Sequence, residues 1–400
     1  MARQSIHIVG ASLAGIRAAE GLRRRAFDGR ITLIGDEPHR PYDRPPLSKQ
    51  VLAGDWDVDR IALTKPEKFD DLDLDFRPGV QATGFDLGTR LLSTTDGDET
   101  VDGLLIATGA RCRTLPGTED MSGVHVLRGL DHTLALRAEI DAQPARVAVV
   151  GAGFIGAEVA ATCRVRGHEV TMIEPLATPL GRVLGNEVGQ VMADVHSEHG
   201  VDLRTGVGVE RLEAEGGRVA RVVLGNGDVV EADVVVIGIG VIPNTEWLEG
   251  SGLALDDGVL CDATMLAAPG VTAAGDVARW PNGRFDEVMR VEHWDNAIEQ
   301  GVHAAERLLV DDADAAPFEP VPWFWSDQFD RKIQLAGRIR PGDDVHLATG
   351  SLDERRFAQL YGREGKLVGV LGFNRPRHVM QYKMMIQNGT SFADAVAAEI

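Results

Sequence analysis

The sequence predicts an α/β protein with two doubly wound domains, each a parallel sheet with helices packed on it, followed by a small α+β domain. Three observations support this prediction. The 400-residue chain contains an internal duplication, each copy alternates strands with a helix, and residues 317–400 follow a different pattern of strands and then a helix. A chain of this length is also long enough for two or three separate cores.

The duplication is visible in four matched segments. The first copy has SIHIVGASLAG, RITLIGDE, TTDGDE and LLIATGA, and the second has RVAVVGAGFIG, EVTMIEP, LGNGD and VVVIGIG. Each copy therefore reads as an apolar strand, a glycine turn, a helix, a second strand, a hairpin at Asp-Gly or Asn-Gly, and a closing strand. Because parallel neighbours need a crossover helix, this order predicts one doubly wound sheet in each copy.

The rest of the chain divides at a linker. After the second copy come the strand-like GVTAAGDVARW and the helical NAIEQGVHAAERLLV, and then DDADAAPFEPVP, which is rich in Ala, Asp and Pro. KIQLAGRI and FAQLYGREGKLVGVLGF predict strands, and HVMQYKMMIQNG predicts a helix. We expect a discontinuous first domain at 1–115 and 243–316, a second at 116–242 and a third at 317–400.

Composition excludes several classes of protein. The net charge is −20, from 41 Lys and Arg against 61 Asp and Glu, which disfavours nucleic acid and anionic membranes as partners. No apolar run reaches the ~18 residues typical of a membrane span. The cysteines Cys112, Cys163 and Cys261 are scattered and odd in number, so neither a disulfide framework nor a metal site is predicted. We expect a cytoplasmic protein.

The second glycine turn predicts a dinucleotide site. In GAGFIG, Gly151 makes the tight turn, Gly153 lets the backbone approach a pyrophosphate, and Gly156 allows close helix–strand contact. The following helix offers free N–H groups to the phosphates. Glu174 lies 23 residues after Gly151 at the end of the second strand, where a carboxylate binds ribose hydroxyls and repels a 2′-phosphate. The pattern predicts NADH rather than NADPH.

The first glycine turn departs from this pattern. GASLAG supplies Gly10 and Gly15 but has Ser12 in place of the middle glycine. Serine adds a Cβ near the phosphates, although its hydroxyl could donate to one of them. Asp36 and Glu37 follow the second strand, where the ribose-binding carboxylate is expected. Taken together, these residues indicate a second dinucleotide site.

A further segment indicates that the dinucleotide at the first glycine turn carries a flavin. In AAGDVA, an apolar strand ends at Gly275 and Asp276. This is the usual second contact to the ribityl–phosphate part of FAD. The alternative role for Asp276 is that of a helix N-cap.

Several motifs resemble a known family. ATG, GIG and AGD beside two dinucleotide folds resemble the two-dinucleotide-binding flavoprotein reductases, which have the glutathione-reductase type of fold and use FAD in the first site and NAD(P)H in the second. RPYDRPPLSK, VEHWDNAIEQG, PWFWSDQ and NRPRHVMQYK are more specific. They look like the oxygenase-coupled, putidaredoxin reductase-like NADH–ferredoxin reductases, and the resemblance covers essentially the whole chain.

The resemblance implies three catalytic residues. Lys49 would lie beside the isoalloxazine ring, where its charge stabilises the reduced anionic flavin, and Glu158 would hold that lysine in place. Trp325, from PWFWSDQ, would cover the flavin at the edge from which electrons leave. Without the resemblance, a solvated lysine and an ordinary helix-surface glutamate would be the favoured interpretation of Lys49 and Glu158. The alternative for Trp323 and Trp325 is that both are core residues of the third domain.

The resemblance also implies further cofactor contacts. It assigns FAD contacts to Ala14, Arg44, Ala82, Ala107, Thr108, Gly109, Arg128, His293 and Trp294, and NADH contacts to Phe154, Ile155, Arg182, Ile239 and Gly240. The disulfide and peroxidase branches of this superfamily place cysteine beside the flavin, whereas RPYDRPPLSK contains none. The electrons therefore leave by a route other than a thiol, and FAD itself splits the pair.

The expected acceptor is a [2Fe–2S] ferredoxin that serves a haem-thiolate monooxygenase or a ring-hydroxylating dioxygenase. Such ferredoxins are usually acidic, and residues 317–400 carry 11 Lys and Arg against 10 Asp and Glu, so a local basic face is possible there. Its candidate residues are Arg331, Lys332, Arg375, Arg377 and Lys383.

Two other functions and the oligomeric state stay open at this point. An NADH oxidase or quinone reductase would share every nucleotide motif and differ only in its acceptor. A signalling flavoprotein resembling apoptosis-inducing factor would turn over slowly with every acceptor. The chain is expected to be a monomer or a weak dimer.

Overall fold

The computed structural model describes residues 3–400, so residues 1 and 2 of the expected first domain lie outside the described residues. Within that range the helices that follow the two glycine turns, and the helix at Trp294–Arg307, contain several small residues on their buried sides, which suits close packing. The α-helices are α1 (Leu13–Arg24), α2 (Gln50–Ala53), α3 (Pro66–Asp70), α4 (Leu130–Ala142), α5 (Phe154–Val165), α6 (Gly181–Glu198), α7 (Trp294–Arg307), α8 (Pro376–Gln387) and α9 (Phe392–Ala397).

The strands of the same range are short. The first group is β1 (Ser5–Val9), β2 (Arg30–Gly35), β3 (Leu74–Pro78), β4 (Ala82–Asp86), β5 (Leu91–Thr94), β6 (Gly97–Thr100), β7 (Gly103–Ile106), β8 (Ala110–Cys112) and β9 (Val124–Val126). The second is β10 (Arg146–Val150), β11 (Glu169–Glu174), β12 (Asp202–Thr205), β13 (Val209–Glu215), β14 (Arg218–Leu224), β15 (Val229–Glu231), β16 (Val234–Ile237) and β17 (Val241–Pro243). The third is β18 (Val259–Leu260), β19 (Leu266–Ala268), β20 (Val271–Ala273), β21 (Ala278–Asn282), β22 (Glu287–Arg290), β23 (Trp323–Gln328), β24 (Arg331–Gly337), β25 (Asp344–Ser351), β26 (Arg356–Arg363) and β27 (Lys366–Phe373).

The chain divides into two units. The first comprises residues up to Asp43, Ile61–Arg111 and Ile242–Pro322. Its main sheet has the order β19-β20-β7-β1-β2-β3, and β20, β7, β1, β2 and β3 run parallel. Helices α1 and α7 pack so closely that a Cβ on Gly301 would lie 2.4 Å from the carbonyl oxygen of Ala14. The β4–β5–β6 meander contains the expected hairpin at Asp96-Gly97.

The second unit comprises Arg44–Arg60, Cys112–Val241 and Trp323–Ile400. Its parallel sheet has the order β12-β11-β10-β16-β9, so β16-β10-β11-β12 repeats the β7-β1-β2-β3 arrangement of the first unit. The duplication extends to individual hydrogen bonds. Gly10 N donates to Ile34 O at 2.8 Å, and Gly151 N donates to Ile173 O at 2.8 Å. The two predicted doubly wound sheets are therefore present.

The second unit also contains an antiparallel sheet of the order β23-β24-β27-β26-β25. Its inner face, with Ile333, Leu335, Phe357 and Phe373, packs against Leu184, Val188 and Met192 of α6 and forms one buried core. Helices α8 and α9 follow β27, as the sequence predicts for an α+β region. Within residues 3–400 no helix is both long and apolar enough to cross a membrane.

Candidate functional site

The second glycine turn has the geometry that a phosphate requires. A Cβ on Gly156 would lie 2.1 Å from the carbonyl oxygen of Gly151, so the helix α5 passes too close to the turn for any side chain. At Gly151, φ is +99° and a Cβ would lie 2.4 Å from Gly238 O. Gly153 differs, because its φ is −74° and a Cβ there would meet nothing within 4 Å. The protein's own packing does not require glycine at 153, whereas a pyrophosphate lying against the helix N-terminus does.

Glu174 anchors this turn. Its side chain is only 9% exposed, and its Oε2 accepts from Ala152 N at 2.8 Å while its Oε1 accepts from Leu176 N at 3.0 Å. Each carboxylate oxygen has a second lone pair, so both retain the capacity to accept from a ribose hydroxyl. Glu174 is therefore both a structural part of the turn and a candidate ribose ligand.

Apolar side chains are exposed around the same turn. Ile155 at the start of α5 is 46% exposed and Ile239 after β16 is 36% exposed, at the carboxyl ends of adjacent strands where open α/β sheets bind ligands. Gly240 and Arg182 are exposed as well. Phe154 is half-buried instead, with its ring against Phe324 of β23 at 4.6 Å between centroids, so only its backbone is available to a phosphate.

The first glycine turn is equally tight. Gly10 has φ of +120°, and a Cβ there would lie 2.0 Å from Ala107 O, while a Cβ on Gly15 would lie 1.9 Å from Gly10 O. Ser12 occupies the N-cap of α1 in an extended conformation. The position equivalent to Glu174 is Gly35, where a Cβ would lie 2.6 Å from the Cβ of Ala11. A ribose-binding carboxylate in this copy must therefore come from further along the chain.

Asp36 and Glu37 are the carboxylates that follow. Asp36 is exposed, and Glu37 is half-buried and accepts a hydrogen bond from the hydroxyl of Tyr42. The tyrosine fixes the orientation of Glu37, which makes Glu37 the better placed of the two to hold a ribose.

The segment with Gly275 and Asp276 folds against the first glycine turn. Gly275 has φ of +78°, and its Cα lies so close to α1 that a Cβ would be 3.1 Å from the Cβ of Ala14. Gly275 N donates to the buried Oε1 of Gln300 at 2.8 Å. Asp276 lies in the first turn of the short 3₁₀ helix Gly275–Val277. The two expected contacts to the phosphate part of FAD are thus adjacent within the first unit.

A residue that the sequence reading missed holds the ATG segment. Ala107 N donates to Val9 O at 2.7 Å, and Gly109 has φ of +62°. Asn244 then clamps the turn, since its Nδ2 donates to Thr108 O at 2.8 Å and its backbone oxygen accepts from Thr108 Oγ1 at 2.8 Å. The partners are 136 residues apart, so no local pattern reveals the contact.

The other expected FAD residues lie in both units. In the first, Ala82 is buried at the start of β4, His293 is the N-cap of α7, and Trp294 Nε1 donates to Asp43 Oδ1 at 2.7 Å. In the second, Arg44 Nη1 donates to the carbonyl oxygen of Arg128 at 2.8 Å, which brings those two arginines together.

Lys49 and Glu158 form a buried ion pair. Lys49 Nζ lies 2.7 Å from Glu158 Oε2, and the two side chains are 13% and 3% exposed. Lys49 follows the 3₁₀ helix Pro45–Ser48, and Ser48 Oγ donates to the same carboxylate oxygen. Because both side chains are largely buried, the interpretation of these residues as a solvated lysine and a surface glutamate is wrong. Burial of two charges is tolerated only when they are paired.

Trp325 lies on β23 with its side chain half-buried. Successive strand residues face opposite sides, so Trp323, Trp325 and Asp327 share one face, while Phe324, Ser326 and Gln328 share the other. The two tryptophan rings stack at 5.3 Å between centroids. Both are half-buried rather than core residues.

The expected docking residues cluster in part. Lys383 Nζ lies 5.8 Å from the centroid of Trp323, within the range of a cation–π contact. Asn374 precedes Arg375 and holds Lys332 by two hydrogen bonds. Lys332 N donates to Asn374 Oδ1 at 2.7 Å, and Asn374 N donates to Lys332 O at 2.8 Å. Arg377 is exposed at the start of α8.

Two of the expected docking residues are paired with neighbouring carboxylates. Lys332 pairs with Asp327 at 2.6 Å, and Arg331 pairs with Asp330 at 3.3 Å. On α8, Met380 and Met384 are 39% and 63% exposed. The surface therefore combines a weaker basic charge than expected with exposed methionines.

The cysteines are unsuited to redox chemistry. Burial raises the pKa of both Cys163 and Cys261 to about 12, and burial also raises the pKa of Cys112, which is half-buried. Thiolates are the reactive form, so these thiols are held protonated and inert. Among residues 3–400 no group of three or more His, Cys, Asp or Glu is arranged to hold a metal ion.

Comparison with known proteins places this geometry in context. Residues 4–301 match the pyridine nucleotide-disulphide oxidoreductases, and residues 323–400 match a reductase C-terminal domain. The chain is 36% identical over 398 residues to rhodocoxin reductase of Rhodococcus erythropolis, covering 99% of this chain and 92% of that protein. It is 33% identical over 393 residues to putidaredoxin reductase of Pseudomonas putida, covering 96% and 92%.

A solved structure gives the same result. The crystal structure of the covalent putidaredoxin reductase–putidaredoxin complex matches with a TM-score of 0.94 at 32% identity, covering 100% of this chain and 97% of that chain. Because the match covers the whole chain, it spans both glycine turns, the Lys49 segment and the antiparallel sheet.

Proposed function

Because this chain belongs to the pyridine nucleotide-disulphide oxidoreductase family, whose members use FAD and NAD(H), we propose that it is an NADH-dependent ferredoxin reductase. The electron acceptor is a [2Fe–2S] ferredoxin that in turn serves an oxygenase, either a haem-thiolate monooxygenase or a ring-hydroxylating dioxygenase. Two of its relatives are named reductases of rhodocoxin and putidaredoxin, which supports this acceptor class.

The proposed domains follow the division made from the sequence. Residues 1–115 and 243–316 bind FAD, residues 116–242 bind NADH, and residues 317–400 meet the acceptor. The repeated sheet order and the repeated glycine turns support the first two assignments. The antiparallel sheet, which shares no strand with the parallel sheet of the same unit, supports the third.

The FAD residues are proposed from the first glycine turn and its neighbours. Gly10, Ser12 and Gly15 present the helix N-terminus of α1 to the phosphates, and Asp276 approaches them from the adjacent turn. Glu37, oriented by Tyr42, holds the ribose. The remaining contacts are those of Ala14, Asp36, Arg44, Ala82, Ala107, Thr108, Gly109, Arg128, Gly275, His293 and Trp294. When bound, FAD accepts a hydride from NADH and releases the electrons singly.

The NADH residues are proposed from the second glycine turn. The open space at Gly153 admits the pyrophosphate, Glu174 accepts from the adenine ribose, and Arg182 flanks the adenosine end. Gly151, Phe154, Ile155, Gly156, Ile239 and Gly240 complete the surface. A carboxylate at Glu174 repels a 2′-phosphate, which favours NADH over NADPH.

The Lys49–Glu158 pair is the observation that carries the proposal. Disulfide reductases of this superfamily have cysteines in the segment where this chain has PPLSK, and here that segment ends in a buried ion pair instead. Lys49 places a fixed positive charge at the site, and Glu158 prevents its side chain from rotating away. Electrons therefore pass to an external acceptor rather than to a thiol, with Trp325 bordering the exit.

The docking surface is proposed around Trp323 and α8. Lys383 and Arg377 supply the positive charge, and Met380 and Met384 supply the exposed apolar centre that protein interfaces favour. Arg331, Lys332 and Arg375 lie at its margin. Because Asp327 and Asp330 offset Lys332 and Arg331, attraction to an acidic ferredoxin rests mainly on Arg377, which is exposed at the start of α8.

Steady-state NADH oxidation by the FAD-loaded protein tests the proposal. The rates with oxygen alone, with a small quinone and with a panel of [2Fe–2S] ferredoxins coupled to cytochrome c are compared. One ferredoxin should raise cytochrome c reduction far above the rate without it. Equal turnover of oxygen or the quinone, with no effect of any ferredoxin, would identify an oxidase or a small-acceptor reductase instead.

A further inference from the structure

A continuous chain of buried hydrogen bonds leads away from the Lys49–Glu158 pair within the second unit. Ser326 Oγ lies 2.7 Å from Glu158 Oε1, and Gln328 Nε2 lies 3.0 Å from Ser326 Oγ. Gln328 Oε1 then lies 2.9 Å from Nε2 of His196. Ser326, Gln328 and His196 are all fully buried. The chain joins α5, β23 and α6, and the proposed function does not otherwise use its last three members.

Every proton in this chain has a fixed position. An ionised carboxylate only accepts, so Ser326 must donate its single hydroxyl proton to Glu158. Ser326 Oγ therefore accepts from the Gln328 amide nitrogen, which turns the amide oxygen of Gln328 toward the ring of His196. An amide oxygen only accepts, so His196 must donate from Nε2. The direction of each bond follows from the one before it.

The environment of His196 selects the neutral ring with its proton on Nε2. Burial lowers the pKa of His196 as the main effect, the bond to Gln328 opposes the shift, and His199 at the C-cap of α6 adds to it. The Nδ1 atom is buried and has no hydrogen-bond partner within residues 3–400, so a proton there would be unsatisfied. Asp327 of β23 faces the other side of the strand, where it pairs with Lys332.

We propose that Ser326, Gln328 and His196 are positioning residues for Glu158, which together hold its carboxylate in one orientation. Glu158 Oε2 accepts from Ser48 and Lys49, while Oε1 accepts from Ser326. With donors on both oxygens the carboxylate cannot rotate away from Lys49. This inference deepens the proposed function and rests on the role given there to Lys49 and Glu158.

The residue types support positioning over ordinary packing. Ser326 and Gln328 lie on the face of β23 that packs on α5 and α6, beside Phe324, whose ring packs against the ring of Phe154. Buried amides and hydroxyls cost free energy unless every group is paired, and apolar residues at 326 and 328 would avoid that cost. The hydroxyl of Ser326 and the amide of Gln328 are therefore explained by the hydrogen bonds with which they support Glu158.

The first test reads the chain directly in the FAD-loaded protein. Long-range ¹H–¹⁵N correlation spectra of ¹⁵N-histidine-labelled protein report the tautomer of each of the 11 histidines, and His196→Gln assigns the signal of His196. The expected result is a neutral ring with its proton on Nε2 from pH 6 to pH 8. A neutral ring with its proton on Nδ1, which leaves Nε2 as an acceptor, would overturn the proposed direction.

The second test measures the rate of flavin reduction by NADH separately from the dissociation constant of NADH. Ser326→Ala and Gln328→Leu should each slow reduction about 10-fold with an unchanged dissociation constant, since each breaks a bond to a charged group or its immediate support. Ser326→Thr keeps the hydroxyl and should stay within about twofold of the wild type. Gln359→Leu is the matched control, because Gln359 is a buried amide of the same antiparallel sheet.

The outcomes separate this inference from the proposed function. If Glu158→Gln leaves flavin reduction unchanged, the role of the ion pair is wrong, and the tautomer of His196 still tests the direction of the chain. If Glu158→Gln slows reduction while Ser326→Ala and Gln328→Leu match Gln359→Leu, the positioning role is overturned and the proposed function stands. Should Gln328→Leu fail to fold, the Ser326→Ala and Ser326→Thr comparison decides the matter.

Discussion

Lys49 and Glu158, which are 109 residues apart in the sequence, meet as a buried ion pair with 2.7 Å between Nζ and Oε2. Three donors converge on the carboxylate of Glu158. Because both side chains are largely buried, solvent and salt screen this pair less than they screen a surface ion pair. Such a pair provides a fixed positive charge whose position does not depend on solvent. The first prediction concerns what happens when it is broken.

Glu158→Gln and Lys49→Met should each slow flavin reduction by NADH by about 10- to 100-fold, because each removes fixed charge from the proposed hydride-transfer site. The double variant should be little slower than either single one, since the two residues act as a unit. Anaerobic stopped-flow absorbance of the flavin measures these rates. Rates within twofold of the wild type for both single variants would contradict the catalytic assignment.

Gly153→Ala should fold normally and lose affinity for NADH. The backbone at 153 suits any residue and the added Cβ meets nothing in the protein, so the free energy of unfolding should not fall. The methyl group would occupy the space proposed for the pyrophosphate, and KM for NADH should rise about 10-fold or more.

Gly156→Ala is the contrasting variant. Its Cβ would lie 2.1 Å from Gly151 O, so this substitution should destabilise the protein itself. Chemical denaturation and NADH titration of both variants distinguish the two effects. A Gly153→Ala protein that binds NADH as the wild type does would remove the pyrophosphate from this position.

Glu174→Ala should reduce the preference for NADH over NADPH about 10-fold, measured as the ratio of the two kcat/KM values. The carboxylate no longer repels the 2′-phosphate or accepts from the ribose. Some loss of stability is also expected, because Ala152 N and Leu176 N lose their acceptor. Glu169→Ala, at the exposed start of the same strand, is the control, and an unchanged ratio in Glu174→Ala would show that another residue selects the coenzyme.

Arg377→Glu should raise KM for an acidic ferredoxin steeply at low salt, by about 10-fold, and the effect should shrink as salt screens the charge. Lys332→Glu should also raise KM, but it places a second carboxylate beside Asp327, so it disturbs the surface as well as its charge. The matched control is Lys366→Glu, since Lys366 is exposed at the opposite end of β27 and changes the net charge equally. Equal KM values for the Arg377→Glu and Lys366→Glu proteins would move the docking site elsewhere.

Local patterns were enough to predict both doubly wound sheets. The roles of Gly10, Gly15, Gly151 and Gly156 follow from spacing because each glycine solves a steric problem inside a contiguous strand–turn–helix unit. The same holds for the helices α7 and α8, whose apolar periodicity is local. The prediction that Glu174 ends its strand beside the turn also needed only one repeat unit.

Contacts between distant segments could not be predicted in this way. Asn244 on Thr108 and His196 on Gln328 each join residues more than a hundred positions apart, and nothing in either sequence neighbourhood marks the partner. The pairing of Lys332 with Asp327 was missed for another reason. The two residues face each other across the β23–β24 hairpin, whose turn contains Phe329 with φ of +54°. Hairpin turns with positive φ usually contain Gly, Asn or Asp, so a phenylalanine there does not predict this hairpin from the sequence.

The most direct measurement of the central claim is the stoichiometry of electron transfer to a ferredoxin under anaerobic conditions. The FAD-loaded protein is reduced with one equivalent of NADH and mixed with an excess of oxidised [2Fe–2S] ferredoxin, while the flavin and cluster absorbances are followed. Two ferredoxins should be reduced for each NADH, in a reaction slowed by Arg377→Glu at low salt. A flavin that stays reduced in the presence of ferredoxin, yet reoxidises at once with oxygen or a quinone, would contradict it.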